Sequence, residues 1–113
     1  MKNNLFAGLT VSLPDELTEV LCRSSGVRIE RIVSRGHRSP PGFWYDQAET
    51  EFVLLVKGRA GVLFAGEPQP RVLEEGDWVE IASHARHRVE WTAPDQDTVW
   101  LAVFSLSKSL QGR

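Results

Sequence analysis

Glu51-Phe52-Val53-Leu54-Leu55-Val56-Lys57-Gly58 is the stretch on which the fold reading turns. Strand side chains alternate between two faces, and here both faces are apolar: Phe52, Leu54 and Val56 on one, Val53 and Leu55 on the other. A half-exposed strand would alternate apolar with polar residues. Both faces must therefore be covered, one by an interior and the other by a helix or a second subunit. Thr98 to Phe104 has the same character.

Working outward, Gly58 reverses the chain into a run from Ala60 to Ala65, and Gly66-Glu67-Pro68 reverses it again. Arg71 to Leu73, Trp78 to Ala82, His87 to Thr92 and Thr98 to Leu106 follow, with Val27 to Ser34 upstream. Gly76-Asp77 and Pro94-Asp95-Gln96-Asp97 mark turns between them. Short β-like runs at this spacing predict an all-β sandwich or barrel rather than a βαβ sheet. Upstream, Ser12 to Leu21 reads as a short N-terminal helix: Ser12 caps it, Pro14 suits its first turn, and Leu13, Leu17, Val20 and Leu21 form its stripe. Ser24-Ser25-Gly26 would end it, and Ser107 to Arg113 reads as a polar tail. Val79 and Ile81 share one face of their run, so Trp78 falls on the other. It is either an interface residue or lies flat under the N-terminal segment.

The chain has 113 residues, enough for one domain core. Its 42% hydrophobic and 25% charged content is that of a folded protein, not a disordered one. A net charge of −2 recruits neither nucleic acid nor a membrane surface. No stretch approaches the ~20 apolar residues of a bilayer span, and Met1-Lys2-Asn3-Asn4-Leu5-Phe6 does not open like a signal peptide. Cys22 is the sole cysteine, so no internal disulfide forms, and a cytoplasmic location is expected. No nucleotide-binding glycine loop, catalytic-serine motif or zinc-ribbon cysteine pattern is present.

Polar residues stand out against this apolar frame. Tyr45, Gln47, Glu49 and Glu51 are two apart, so an unbroken strand points them to one face. Burying such groups costs energy unless they are bonded or ligate an ion. His87 shares parity with Val89 and Trp91, which places it on the inward face while Arg88 and Glu90 point out. A salt-bridged Glu51 and a hydrogen-bonded core histidine are the alternatives to a functional pair. His84 and the loop residue His37 are lesser candidates. Arg35, Arg38, Arg86 and Arg88 are either solvated or placed to meet an anion.

Two stretches resemble the paired motifs of the cupin superfamily. Glu51 followed by Gly58 matches the second half of the first motif, and Gly76-Asp77-Trp78-Val79-Glu80-Ile81-Ala82-Ser83-His84-Ala85-Arg86-His87 matches the spacing of the second. Gly42 to Gln47 together with His84 to Val89 is also similar to a group of small stand-alone bacterial cupins. The resemblance covers roughly Arg28 to Phe104. It implies a double-stranded β-helix, a jelly-roll barrel spanning 27–106 within a single domain of 1–113, preceded by an N-terminal arm and helix over 1–26.

The departures are specific. Tyr45 and Gln47 stand where the family's two motif-one histidines would, and Ala82 and His84 replace its usual proline and glycine. The resemblance implies a small-molecule-binding protein with Trp44, Gln47 and Trp91 as pocket residues. In a metal-dependent enzyme, Glu51, His87 and Gln47 would hold Zn, Fe, Mn or Ni. In a metal-free acid–base enzyme like the sugar epimerases of this fold, His87 would be the base and Tyr45 the acid. A non-catalytic ligand-binding protein is the third class. A homodimer is expected from the strands apolar on both faces. If Glu51 and His87 share a pocket without metal, the carboxylate should raise the histidine's pKa, with desolvation opposing it.

Overall fold

A computed structural model describes residues 3–9 and 13–106. Its strands are β1 (Leu17–Ser24), β2 (Val27–Ser34), β3 (Thr50–Lys57), β4 (Ala60–Phe64), β5 (Arg71–Leu73), β6 (Trp78–Ile81), β7 (His87–Thr92) and β8 (Thr98–Ser105). All pairings are antiparallel. A five-stranded sheet runs in the order β1-β2-β8-β3-β6, and a three-stranded sheet in the order β5-β4-β7. No helix of the described residues is long and apolar enough to cross a membrane.

Alternation decides the packing. Along β3, Val53 and Leu55 are buried while Phe52, Leu54 and Val56 are half-buried; along β8, Trp100, Ala102 and Phe104 are buried while Leu101 and Val103 are half-buried. The inward set meets Ala60, Val62, Leu73 and Ile81 in one core. Burying such side chains contributes roughly 1.5–3 kcal/mol each, which makes this core the main source of stability.

The expected N-terminal helix is not formed in its described part. Leu17 to Ser24 is instead an edge strand, turned through Ser25 and Gly26 onto β2, with Ser24 opposite Val27 and Leu17 opposite Val33. The apolar stripe is short, and two of its members, Val20 and Leu21, remain 46% and 48% exposed. A helix this short is marginal on its own, whereas the open edge of β2 satisfies a whole strand of backbone groups. Ser12, the expected cap, and the expected tail of Ser107 to Arg113 lie outside the described residues.

His84 has φ 62°, a left-handed conformation rare outside glycine. The turn before β7 thus keeps a glycine-like backbone with a histidine in it. An exposed hydrogen bond between His84 Nδ1 and Asp46 Oδ1, 2.7 Å, ties that side chain down.

A candidate acid–base site

The site is assembled by the first residues of β7 and an irregular segment laid beside them. Tyr45 N–H donates to the His87 carbonyl at 2.7 Å and His87 N–H to the Tyr45 carbonyl at 3.2 Å. His84 N–H then donates to the Gln47 carbonyl at 2.7 Å. This stitching turns Tyr45 and Gln47 to one side, where the inward residues of β3 bring Glu51. Together they border a cavity of about 220 Å³ between the two sheets. Glu16, Thr18, Glu30, Ile32, Trp100 and Phe104 also line it.

Hydrogen bonds set the protonation of the pair at its centre. His87 Nδ1 lies 2.8 Å from the Ala85 carbonyl, which can only accept, so Nδ1 carries the proton. Nε2 of the neutral ring is left with a lone pair, 3.8 Å from Glu51 Oε1. The Gln47 amide donates to that same oxygen at 3.1 Å. Both side chains are buried, His87 at 7% and Glu51 at 10% exposure.

Burial dominates their titration. Desolvation pushes the Glu51 carboxyl up to about 7; the Gln47 hydrogen bond and Arg28 oppose this, while Glu30 and Glu49 add to it. Desolvation also holds His87 below its ordinary value, with the Ala85 carbonyl pulling the other way. The expected rise in the His87 pKa is therefore reversed, because at 3.8 Å a half-neutral carboxyl cannot offset the lost hydration. Tyr45 is pushed up by burial and by Glu16 and Glu51, so its phenol stays protonated. An NMR titration should show His87 half-protonated below about 6.5, with Nδ1–H as its neutral tautomer. A midpoint above that value would mean the Glu51 charge outweighs burial.

Tyr45 is placed by more than its backbone. Its ring stacks on His87 with centroids 5.3 Å apart and planes at 21°, and meets Phe43 edge-on at 4.8 Å. Arg88 points outward as expected, yet it is 7% exposed rather than solvated. Its guanidinium donates to the carbonyls of Ser39, Pro40 and Phe43 at 3.1–3.2 Å, pinning the loop that delivers Tyr45.

Other expected residues lie elsewhere. Trp44 does not line the cavity; the guanidinium groups of Arg86 and Arg88 sit over its ring at 5.2 and 5.9 Å. Trp91 does not line it either. Gly61 opposes Trp91 while the next residue, Val62, opposes Val89, so Glu90 is left over and parity slips between Val89 and Trp91. The Trp91 indole lies against Gly61 on the side away from Val62, where any Cβ would meet its Nε1 at 2.3 Å. Glu49 is held by Arg28 at 2.6 and 3.1 Å. His37 is bound to the Pro14 carbonyl at 3.2 Å, and Arg35 pairs with Asp97 at 3.1 Å. Glu16, Thr18 and Glu30 were not singled out from the sequence. The alternation Arg28-Ile29-Glu30 was the available signal for Glu30.

The divalent metal expected on Glu51, His87 and Gln47 does not fit the residues present. Among the described residues no group of three His, Cys, Asp or Glu side chains is arranged to hold an ion. Glu51 and His87 supply two firm donors, and Gln47 turns its amide N–H, not its oxygen, toward Glu51. A catalytic zinc site typically uses three protein ligands.

Neither a protein-family model nor a curated protein matches the chain. Solved structures do. A Ralstonia eutropha JMP134 protein, provisionally described as a mannose-6-phosphate isomerase, is 47% identical with a TM-score of 0.91, over 95% of this chain and 99% of that one. A cupin superfamily protein of Desulfitobacterium hafniense DCB-2 is 16% identical, TM-score 0.70, over 88% and 84% of the two chains. An RmlC-like cupin of Methanocaldococcus jannaschii with a double-stranded β-helix fold is 16% identical, TM-score 0.67, over 86% and 85%. The last two share the fold alone, while the first shares nearly half its residues along almost the full length. This all-β chain, with its paired Glu51–Gly58 and Gly76–His87 stretches folded as a double-stranded β-helix, belongs to the cupin superfamily.

Proposed function

We propose that this cupin binds a small hydroxy-carbonyl compound and moves a proton on it without a metal, in the manner of a sugar isomerase or epimerase. The observation that carries the reading is the buried pair at the cavity: a neutral His87 with its Nε2 lone pair free, 3.8 Å from a carboxyl held near pH 7. Cupins often hold a divalent metal, but two firm donors here make a poor cage and a good proton relay.

In this scheme His87 Nε2 takes the proton from the carbon beside the carbonyl, and the electron pair of that C–H bond shifts to form an enediol. The Tyr45 phenol gives its proton to the carbonyl oxygen. Glu51, ionised, stabilises the imidazolium so formed. Return of the proton from Nε2 to the adjacent carbon, and of a hydroxyl proton to Tyr45, gives the isomer and restores the site. The Ralstonia relative's description as a sugar isomerase points to the same class of chemistry.

Incubating the protein with reducing sugars in D₂O, and reading deuterium at the carbon beside the carbonyl by mass spectrometry, tests this. His87→Ala should lower exchange by about 10²–10⁴-fold, the usual contribution of a positioned general base. Ligand binding without exchange would reduce the protein to a binder. Stoichiometric metal in protein purified without an affinity tag would overturn the metal-free scheme.

The same reading pairs two chains through the outer face of the five-stranded sheet. Trp78 is 59% exposed there, its ring tilted against Phe52 at 5.3 Å, beside the half-buried Leu54, Leu101 and Val103. Contiguous apolar patches of this kind mark interaction sites. Sedimentation at micromolar protein should give twice the chain mass, and Trp78→Glu should return it to one. A wild-type monomer at every concentration rejects the pairing.

A further inference from the structure

The charge of the cavity bears on what it binds. Its described lining carries the carboxylates of Glu16 and Glu30 and the half-neutral carboxyl of Glu51, and no lysine or arginine. Arg28 is the guanidinium that packs on the lining residue Phe104, 4.3 Å from its ring. Each of its three nitrogens is already bonded: Nε meets Glu30 at 2.6 Å, and its two terminal nitrogens meet Glu49 at 2.6 and 3.1 Å. It has no fork left to offer a phosphate.

Hydrogen-bonding capacity is equally one-sided. One N–H of the Gln47 amide is committed to Glu51, and His87 Nδ1–H to the Ala85 carbonyl. His87 Nε2, on a side chain 7% exposed, has no hydrogen-bond partner among the described residues. Glu16 takes one bond from Ser34 Oγ at 2.6 Å and keeps further acceptor capacity. Among the described residues, the uncommitted donors facing the cavity are the hydroxyls of Thr18 and Tyr45 and the second N–H of the Gln47 amide. Acceptors therefore outnumber donors, and a buried acceptor left unmatched is costly.

Resting on the small-molecule reading above, we propose that the cavity selects by charge: it takes a compound rich in hydrogen-bond donors and free of anionic groups, and rejects phosphorylated sugars. A protonated amine or an uncharged polyol supplies the missing donors. A phosphate brings acceptors and negative charge to a lining that already has both. The specificity thus departs from the phosphorylated sugar in the Ralstonia relative's description.

Mannose, mannosamine and mannose 6-phosphate share one ring and differ in charge, so they separate the possibilities. Each is titrated into the full chain, with the Trp100 indole N–H and the His87 ring followed by NMR as reporters of the cavity. The expected result is that mannose or mannosamine shifts both signals and that mannose 6-phosphate binds at least about tenfold more weakly. Tighter binding of mannosamine assigns the donors to an ammonium group; equal or tighter binding of mannose assigns them to hydroxyls. Glu30→Gln removes one carboxylate while leaving an amide oxygen to accept from Arg28 Nε, and should shrink the bias against the phosphate several-fold. Mannose 6-phosphate binding as tightly as mannose at the same signals overturns the charge selection yet leaves the cavity as a small-molecule site. No shift from any of the three overturns both.

Discussion

Glu51→Gln should make the protein more stable above neutral pH while abolishing proton exchange and weakening ligand binding. Burial raises the folded-state pKa of Glu51 from 4.5 to about 7. Between those values the unfolded chain has released the proton and the folded one still holds it. Stability therefore falls as pH rises through this window, and the full loss is present above about 7. A shift of that size corresponds to about 3 kcal/mol. Glutamine never ionises and still accepts from Gln47, so the variant escapes the loss. His87 works in the opposite sense: its lowered pKa costs stability as pH falls below its unfolded value, and this cancels when variant and wild type are subtracted. Urea melts across this range should show the variant's advantage growing from near zero at the acid end to about 3 kcal/mol at the alkaline end. If the variant instead loses ~3–5 kcal/mol at every pH with exchange intact, Glu51 is a structural ion-pair member.

Gly58→Ala is expected to be the most damaging single-methyl change. Gly58 turns β3 into β4 at φ +97°, and a Cβ there would meet Thr98 Oγ1 at 2.4 Å, Thr98 Cα at 2.7 Å and the Asp97 carbonyl at 2.8 Å. Two of these are backbone atoms at the start of β8, the central strand between β2 and β3, and cannot rotate away. Strain and clash together should cost about 3–4 kcal/mol. Gly66→Ala is the control: φ is +89°, but nothing lies within 4 Å of its Cβ position. Its loss should stay near the ~1–2 kcal/mol of the backbone conformation alone. Equal losses at the two sites would show that close packing against Thr98 contributes nothing.

Seven of the eight strands were legible because each is a short apolar run closed by Gly, Pro or Asp turns, signals contained within the run itself. β1 was not. Leu13, Leu17, Val20 and Leu21 repeat at helical spacing, and no local feature announces the free edge of β2, some ten residues further on, that draws this segment into the sheet. The same division runs through the site. Tyr45, Gln47, Glu51 and His87 were readable as polar groups on one parity of apolar segments, and they do border one cavity. Trp91 was counted by that parity and missed, because the slip opposite Gly61 and Val62 is a property of two paired strands.

Residue order thus sufficed for the all-β class, the turn positions and the polar positions set against an apolar background, since these follow from side-chain alternation and turn chemistry within a few residues. Tertiary structure decided the rest: that Glu16, Thr18 and Glu30 join Glu51 through the β1-β2-β8-β3 order, that Arg28 is already spent on Glu30 and Glu49, and that burial moves Glu51 up and His87 down. Charge and desolvation act through space, between groups tens of residues apart, so the protonation and ligand preference of this cavity exist only once the sheets have closed around it.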